Sequence, residues 1–302
     1  MHSMNQMKTL MIALCLVVVF HAMAGVALAK TLVATSQVYA EPQILVEMVK
    51  QLIEAHTDLK VDHKRNFQGT NLVHAAFISR DVDFYVSHTG TQFTGVLNME
   101  VTDEWKDRDK VLKYVQDEFQ KQFDATWFEP FGFNNTYALA LRNDTIAELG
   151  LETMDDLAKH ASKLRIAVDQ TFMARLGDGF YDMTHHYGYK FRQAVSMDYG
   201  LMYRAVASKD VDVAVAYSTD GRISALDLGI LEDNKAFFPP YDCSLIVHND
   251  VLKEYPIIEE LVQPLLGSID ESTMQALNKQ VDVDGLDPAE VAHGYLKEQG
   301  LL

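Results

Sequence analysis

From Lys30 onward, short runs of β-branched and apolar residues alternate with segments whose apolar positions recur every three or four residues. Thr31 to Thr35 predicts a strand. Ile44, Leu45, Met48, Val49, Leu52 and Ile53 then follow at helical spacing behind Pro42, a residue tolerated in a first helical turn. Leu59 to Arg65 predicts the next strand, Thr70 to Ile78 a helix, and Val82 to Val86 a strand buried on both faces. Residues 107–124 have the pattern of a long helix with a polar face. Thr153 followed by Asp156 predicts a capped helix start, Leu164 to Val168 a strand, and Leu201 to Ala207 another helix. The C-terminal stretch is helical by pattern, punctuated by Pro256, Pro264 and Pro288. Strands and helices alternating in this way predict an α/β fold with mainly parallel sheets.

Part of the pattern occurs twice. Ser79-Arg80-Asp81-Val82-Asp83-Phe84-Tyr85-Val86-Ser87-His88 is echoed by Ser208-Lys209-Asp210-Val211-Asp212-Val213-Ala214-Val215-Ala216-Tyr217. In both, an apolar helix leads through Ser, a basic residue and Asp into a strand that ends on a ring side chain. The separation is too long for a solenoid period and suits one copy in each of two similar lobes. His88 and Tyr217 are then equivalent positions. Ligands of open α/β sheets bind beyond the carboxyl ends of strands, so two such ends facing each other would line a cleft.

Charge and composition narrow the function. The 302 residues carry 26 Lys and Arg against 43 Asp and Glu, a formal charge of -17, which disfavours nucleic acid as a partner. Lys8, the apolar run Leu10 to Phe20, and Ala27-Leu28-Ala29 before Lys30 follow the order of a secretory signal peptide, residues 1–29. The run is shorter than a membrane-spanning helix requires. A soluble periplasmic protein, not inserted in the membrane after cleavage, is the expectation. Cys15 falls in the removed segment, which leaves Cys243 alone and excludes a disulfide framework or a cysteine-based zinc site.

Three tyrosines stand where strand patterns meet turn residues: Tyr137 after Phe133-Asn134-Asn135-Thr136, Tyr217 before Ser218-Thr219-Asp220-Gly221, and Tyr241 after Phe237-Phe238-Pro239-Pro240. Singly, such residues cap a core. Together, in an exported acidic protein, they suggest an aromatic cage for a quaternary ammonium group, which ring faces attract and which cannot hydrogen-bond.

At this point the chain resembles the periplasmic substrate-binding proteins of ABC importers for osmoprotectants such as glycine betaine, carnitine and choline. The likeness rests on Gly69-Thr70, His88-Thr89-Gly90-Thr91, Gly132 to Leu139, Tyr217 to Ile223, Phe237 to Asp242, and Asp287-Pro288-Ala289-Glu290. It implies a two-lobed, type II-like periplasmic binding protein fold, each lobe a mainly parallel sheet flanked by helices. Residues 30–135 and 242–302 would form one lobe and 136–241 the other. It also implies a cage of four rings around the trimethylammonium group. Three match Tyr137, Tyr217 and Tyr241, and His88 stands where the fourth tyrosine is expected. Thr91 and Arg175 would hold a ligand carboxylate. Gln37 stands where family members often carry a lysine, and Pro42 replaces a glutamine. A neutral imidazole can pack beside an onium group and an imidazolium repels it, so acid is expected to weaken capture at His88.

The expected function is capture of a quaternary-ammonium osmoprotectant of the glycine betaine type between two lobes. Delivery to an ABC permease with its ATPase would follow, by a monomer without cofactor, metal or catalysis. The same scaffold tuned to carnitine, choline or a larger amino-acid betaine is the alternative. An exported hydrolase using Cys243, with Asp242 and His248 nearby, is the rival of another class. His185-His186 reads as a helix end, since adjacent helical residues point about 100° apart.

Overall fold

Apolar periodicity around residue 44 yields the longest helix described, Ala40–His56, whose Ile44, Leu45, Met48, Val49, Leu52 and Ile53 are all buried. It follows strand β1 (Thr31–Gln37) and leads to β2 (Lys60–Phe67), which pairs with β1 in parallel across the helical connection. The helix Thr70–Ile78 then leads to β3 (Phe84–His88), buried along its whole length. After the helix Arg108–Phe123 come β4 (Ala125–Trp127) and, across the molecule, β5 (Tyr137–Arg142). Strands β6 (Arg165–Val168), β7 (Gln193–Ser196), β8 (Val213–Tyr217) and β9 (Leu228–Leu231) complete a second sheet, and β10 (Cys243–His248) returns to the first. The computed structural model describes residues 30–302, and the predicted signal peptide lies outside the described residues. No helix of the described residues is long and apolar enough to cross a membrane.

The two sheets have the orders β2-β1-β3-β10-β4 and β7-β6-β8-β5-β9. In each, four strands run one way and one, β10 or β5, runs against them. Separate apolar cores lie on both faces of both sheets, the arrangement of helices over a mainly parallel sheet. The molecule is the mixed α/β, two-lobed fold that the strand and helix pattern predicts.

The sequence echo is a structural repeat. Arg80 and Lys209 both adopt left-handed backbone, with φ of 65° and 68°. The Ser79 hydroxyl donates to Asp81 at 2.7 Å, and Ser208 donates to Asp210 at the same distance. Asp83 clamps β1 by accepting from the Val33 N–H, and Asp212 clamps β6 by accepting from the Arg165 N–H, both at 2.7 Å. Hence β3 and β8 occupy the same central place in their sheets. His88 lies opposite Cys243 across one antiparallel pair, and Tyr217 lies opposite Tyr137 across the other.

Some expectations shift in detail. Thr153 and Asp156 do form a reciprocal capping box, but the helix they open spans only Met154–Leu157. The strand expected from Val82 starts at Phe84, because Asp83 is held in the clamp.

In the first lobe, the buried Glu47 accepts from His63 at 2.8 Å and from Arg65 at 2.7 Å. Burial alone would raise its pKa, but these partners lower it from the ordinary 4.5 to about 2. A carboxylate depressed in the folded state contributes stability above its unfolded pKa and loses it as pH falls through the folded one. Urea unfolding of the wild type and Glu47→Gln should therefore differ most above about pH 4.5, and the two should converge toward about pH 2. A gap that persists unchanged through that window would show the carboxylate's charge to be irrelevant.

Candidate functional site

Parallel strands and the turns after them deliver the side chains of this site. The carboxyl ends of β1, β3, β6, β7 and β8 open onto one cavity of about 520 Å³ between the sheets. All seven residues singled out from sequence line it: Gln37, His88, Thr91, Tyr137, Arg175, Tyr217 and Tyr241. Two crossover segments supply Tyr137 and Tyr241, and they are tied to each other by a bridge between Asn134 and Asp242.

The tyrosines form one cluster. The ring centroids of Tyr137 and Tyr217 are 5.0 Å apart, which follows from their cross-strand pairing, and Tyr241 stands edge-on to Tyr137 at 5.6 Å. Two rings not singled out from sequence extend it. Tyr39 lies parallel to Tyr217 at 6.4 Å, and Tyr199 meets it edge-on at 5.1 Å. Tyr39 sits just past the carboxyl end of β1, so the strand-end criterion applied to the other three would have found it. Burial raises the hydroxyl pKa of Tyr137, Tyr217 and Tyr241, so the rings stay neutral. Gly90 has to be glycine here: a Cβ would lie 2.7 Å from the Pro240 carbonyl and 2.8 Å from the Tyr241 ring.

Tyr85, the other ring near the echo, is no part of the wall. It packs in the core behind the first sheet, 4.9 Å from Phe77. His88 does face the cavity, but the structure gives it a partner that sequence did not reveal. Its Nε2 bonds Glu41 Oε1 at 2.7 Å. Glu41, fully enclosed, also accepts from Asn135 at 2.9 Å and from Thr219 at 2.7 Å, with Asn278 at 3.5 Å. Burial by itself would raise the Glu41 pKa, but the bond and charge of His88 and the Thr219 and Asn135 donors hold it below its ordinary range. His88 is therefore half of a buried pair with Glu41 and not a lone imidazole on the cavity wall.

Among the described residues, Arg175 is the only Lys or Arg lining the cavity. Its guanidinium is engaged by the fully buried Asp178, Nε donating at 2.5 Å, and reaches across the cleft to Thr94 Oγ1 at 2.8 Å. Tyr241 donates its hydroxyl to the other oxygen of Asp178, which fixes ring and fork together. Gln37 donates to Thr70 at 3.0 Å and accepts from the Tyr39 hydroxyl at 2.9 Å. Asp169, absent from the sequence reading, caps the helix Gln170–Ala174 with one carboxylate oxygen and lines the cavity.

The rival chemistry does not assemble. Cys243 is completely enclosed, and burial together with Glu41 and Asp242 pushes its thiol pKa up, the reverse of what a nucleophile requires. His248 bonds the Phe77 carbonyl and stacks on the Phe77 ring. Glu41, His88 and Cys243 hold metal-type donor atoms within 4.8 Å of one another, but the carboxylate is already saturated by hydrogen bonds. His185 and His186 end the helix Phe180–Tyr187, and His186 packs on Tyr187 and Phe237.

Comparison with known proteins agrees with this geometry. Residues 30–298 match the family described as "Substrate binding domain of ABC-type glycine betaine transport system". The carnitine transport binding protein OpuCC of Listeria monocytogenes is 38% identical over 259 residues, 85% of this chain and 83% of that protein. A glycine-betaine-binding protein of Pseudomonas aeruginosa is 30% identical over 314 residues, covering 98% and 96%. The crystal structure of a glycine betaine/carnitine/choline ABC transporter protein superimposes with a TM-score of 0.80 at 37% identity, over 89% of this chain and 99% of that one. These relatives are transport binding proteins, not enzymes.

Proposed function

The chain belongs to the family of substrate-binding domains of ABC-type glycine betaine transport systems, and from that premise we propose that it captures a quaternary-ammonium osmoprotectant in the cavity between its lobes. The tyrosine cluster carries this reading: Tyr217 and Tyr241 lie 5.0 and 5.6 Å from Tyr137, with His88 lining the same cavity. Neutral ring faces favour a methylated ammonium group, each good contact contributing about 0.5 to 2 kcal/mol, and the Arg175 guanidinium, 5.8 Å from the Tyr137 and 5.9 Å from the Tyr241 ring centroid, marks those faces as already suited to a cation. Arg175 and Thr91 supply donors for a carboxylate at the other end of the ligand. The protein is exported and hands its cargo to an ABC permease with its ATPase.

Calorimetric titration of residues 30–302 with glycine betaine, carnitine and choline, each beside its demethylated amine, tests this. The trimethylated compounds are expected to bind and the amines to bind at least about tenfold more weakly, because a primary ammonium keeps its hydration shell. Equal binding within each pair would remove the cage.

A further inference from the structure

The cavity's hydrogen-bonding groups are unevenly committed. Several of its donors are occupied within the protein: the Tyr39 hydroxyl on Gln37, the His88 Nε2 and the Asn135 amide on Glu41, the Tyr241 hydroxyl on Asp178, and two edges of Arg175 on Asp178 and Thr94. The buried polar atoms of the lining left without a partner among the described residues are both acceptors, Asp169 Oδ2 and Asn135 Oδ1. Each of these residues is 7% exposed. The Asn135 orientation is settled, since its NH₂ must face the Glu41 carboxylate. Asp169 is settled too, since its Oδ1 accepts from the Phe172 N–H at 3.0 Å and leaves Oδ2 over.

A buried acceptor without a donor is unfavourable, and a ligand that supplies the donor gains selectivity over one that cannot. Glycine betaine has no N–H or O–H anywhere. We propose that Asp169 is a specificity residue whose Oδ2 accepts a hydrogen bond from the ligand, so that the site selects quaternary-ammonium compounds bearing a hydroxyl over glycine betaine. The inference rests on the cavity being the onium site proposed above. Asp169 stands at the carboxyl end of β6, one residue beyond Val168, on the same rim as the cage ring Tyr217 at the end of neighbouring β8. Asp169, Tyr137 and Tyr217 line the same cavity. Arg175 Nη1 makes no hydrogen bond among the described residues, so a carboxylate in addition to the donor is accommodated.

The experiment uses ligand pairs that differ only in the donor: choline against its O-methyl ether, and carnitine against 4-trimethylammoniobutyrate, which is carnitine without the hydroxyl. Titrated calorimetrically into residues 30–302, the hydroxylated member of each pair is expected to bind about tenfold or more tightly. Asp169→Ser keeps a side-chain oxygen for the helix cap and removes the spare acceptor. In it the preference should fall to near unity. Equal binding of both pairs by the wild type overturns the proposal while leaving the onium reading intact. Full retention of the preference in Asp169→Ser overturns the assignment to Asp169. Binding of no onium compound at all overturns the onium reading itself. The wild-type comparison decides the matter even if the variant does not fold.

Discussion

Replacing Glu41 with alanine is expected to destabilise the protein by about 3 to 5 kcal/mol, the range for removing one member of a buried, hydrogen-bonded charged group. His88, Asn135 and Thr219, all largely buried, would lose their shared acceptor. Because Thr219 follows β8 of the second sheet while Glu41 follows β1 of the first, the loss also loosens one lobe against the other. Glu41→Gln preserves the shape but turns an amide NH₂ toward groups that already donate, so it should recover only part of the stability. The Glu41 pKa is lowered in the folded state, so its contribution is fully present above its unfolded value and fades as pH falls toward the folded one. Urea unfolding at neutral pH measures the effect. A midpoint within experimental error of the wild type in Glu41→Ala would show that the hub is dispensable.

The second large effect is on affinity. Tyr217→Ala should weaken binding of a quaternary ammonium ligand by about 1 to 2 kcal/mol, a loss of roughly tenfold or somewhat more. Tyr217 is the centre of the cluster, with Tyr39, Tyr137 and Tyr199 all against it, so its removal takes one ring face and loosens three others. Tyr217→Phe retains the face and should bind within a few-fold of the wild type. The Tyr203 hydroxyl that bonds the Tyr217 N–H is unaffected by either change, which keeps β8 in place. Calorimetry on both variants, beside their melting curves, makes the measurement. Unchanged affinity in a folded Tyr217→Ala would exclude the ring from the site.

Much of this was legible in the chain because it is local. Apolar spacing along Ala40–His56 and the buried run of Phe84–His88 depend on residues within a few positions of each other, and so do the Ser-basic-Asp turns that made the two lobes visible as an echo. Tyr137, Tyr217 and Tyr241 could be picked out because each stands beside a turn at a strand end, which is where α/β sheets present side chains to ligands. What each group bonds to was not legible. Glu41 meets Asn135 from 94 positions away and Thr219 from 178 away, and nothing in the spacing of those residues announces it. Only the folded chain makes His88 half of a buried pair instead of a lone imidazole, adds Tyr39 and Tyr199 to the rings, and leaves Asp169 with an unpaired oxygen. Periodicity determines which faces are buried, whereas the protonation and free valences of a site depend on which strand ends are brought face to face, and that is set by packing over the whole molecule.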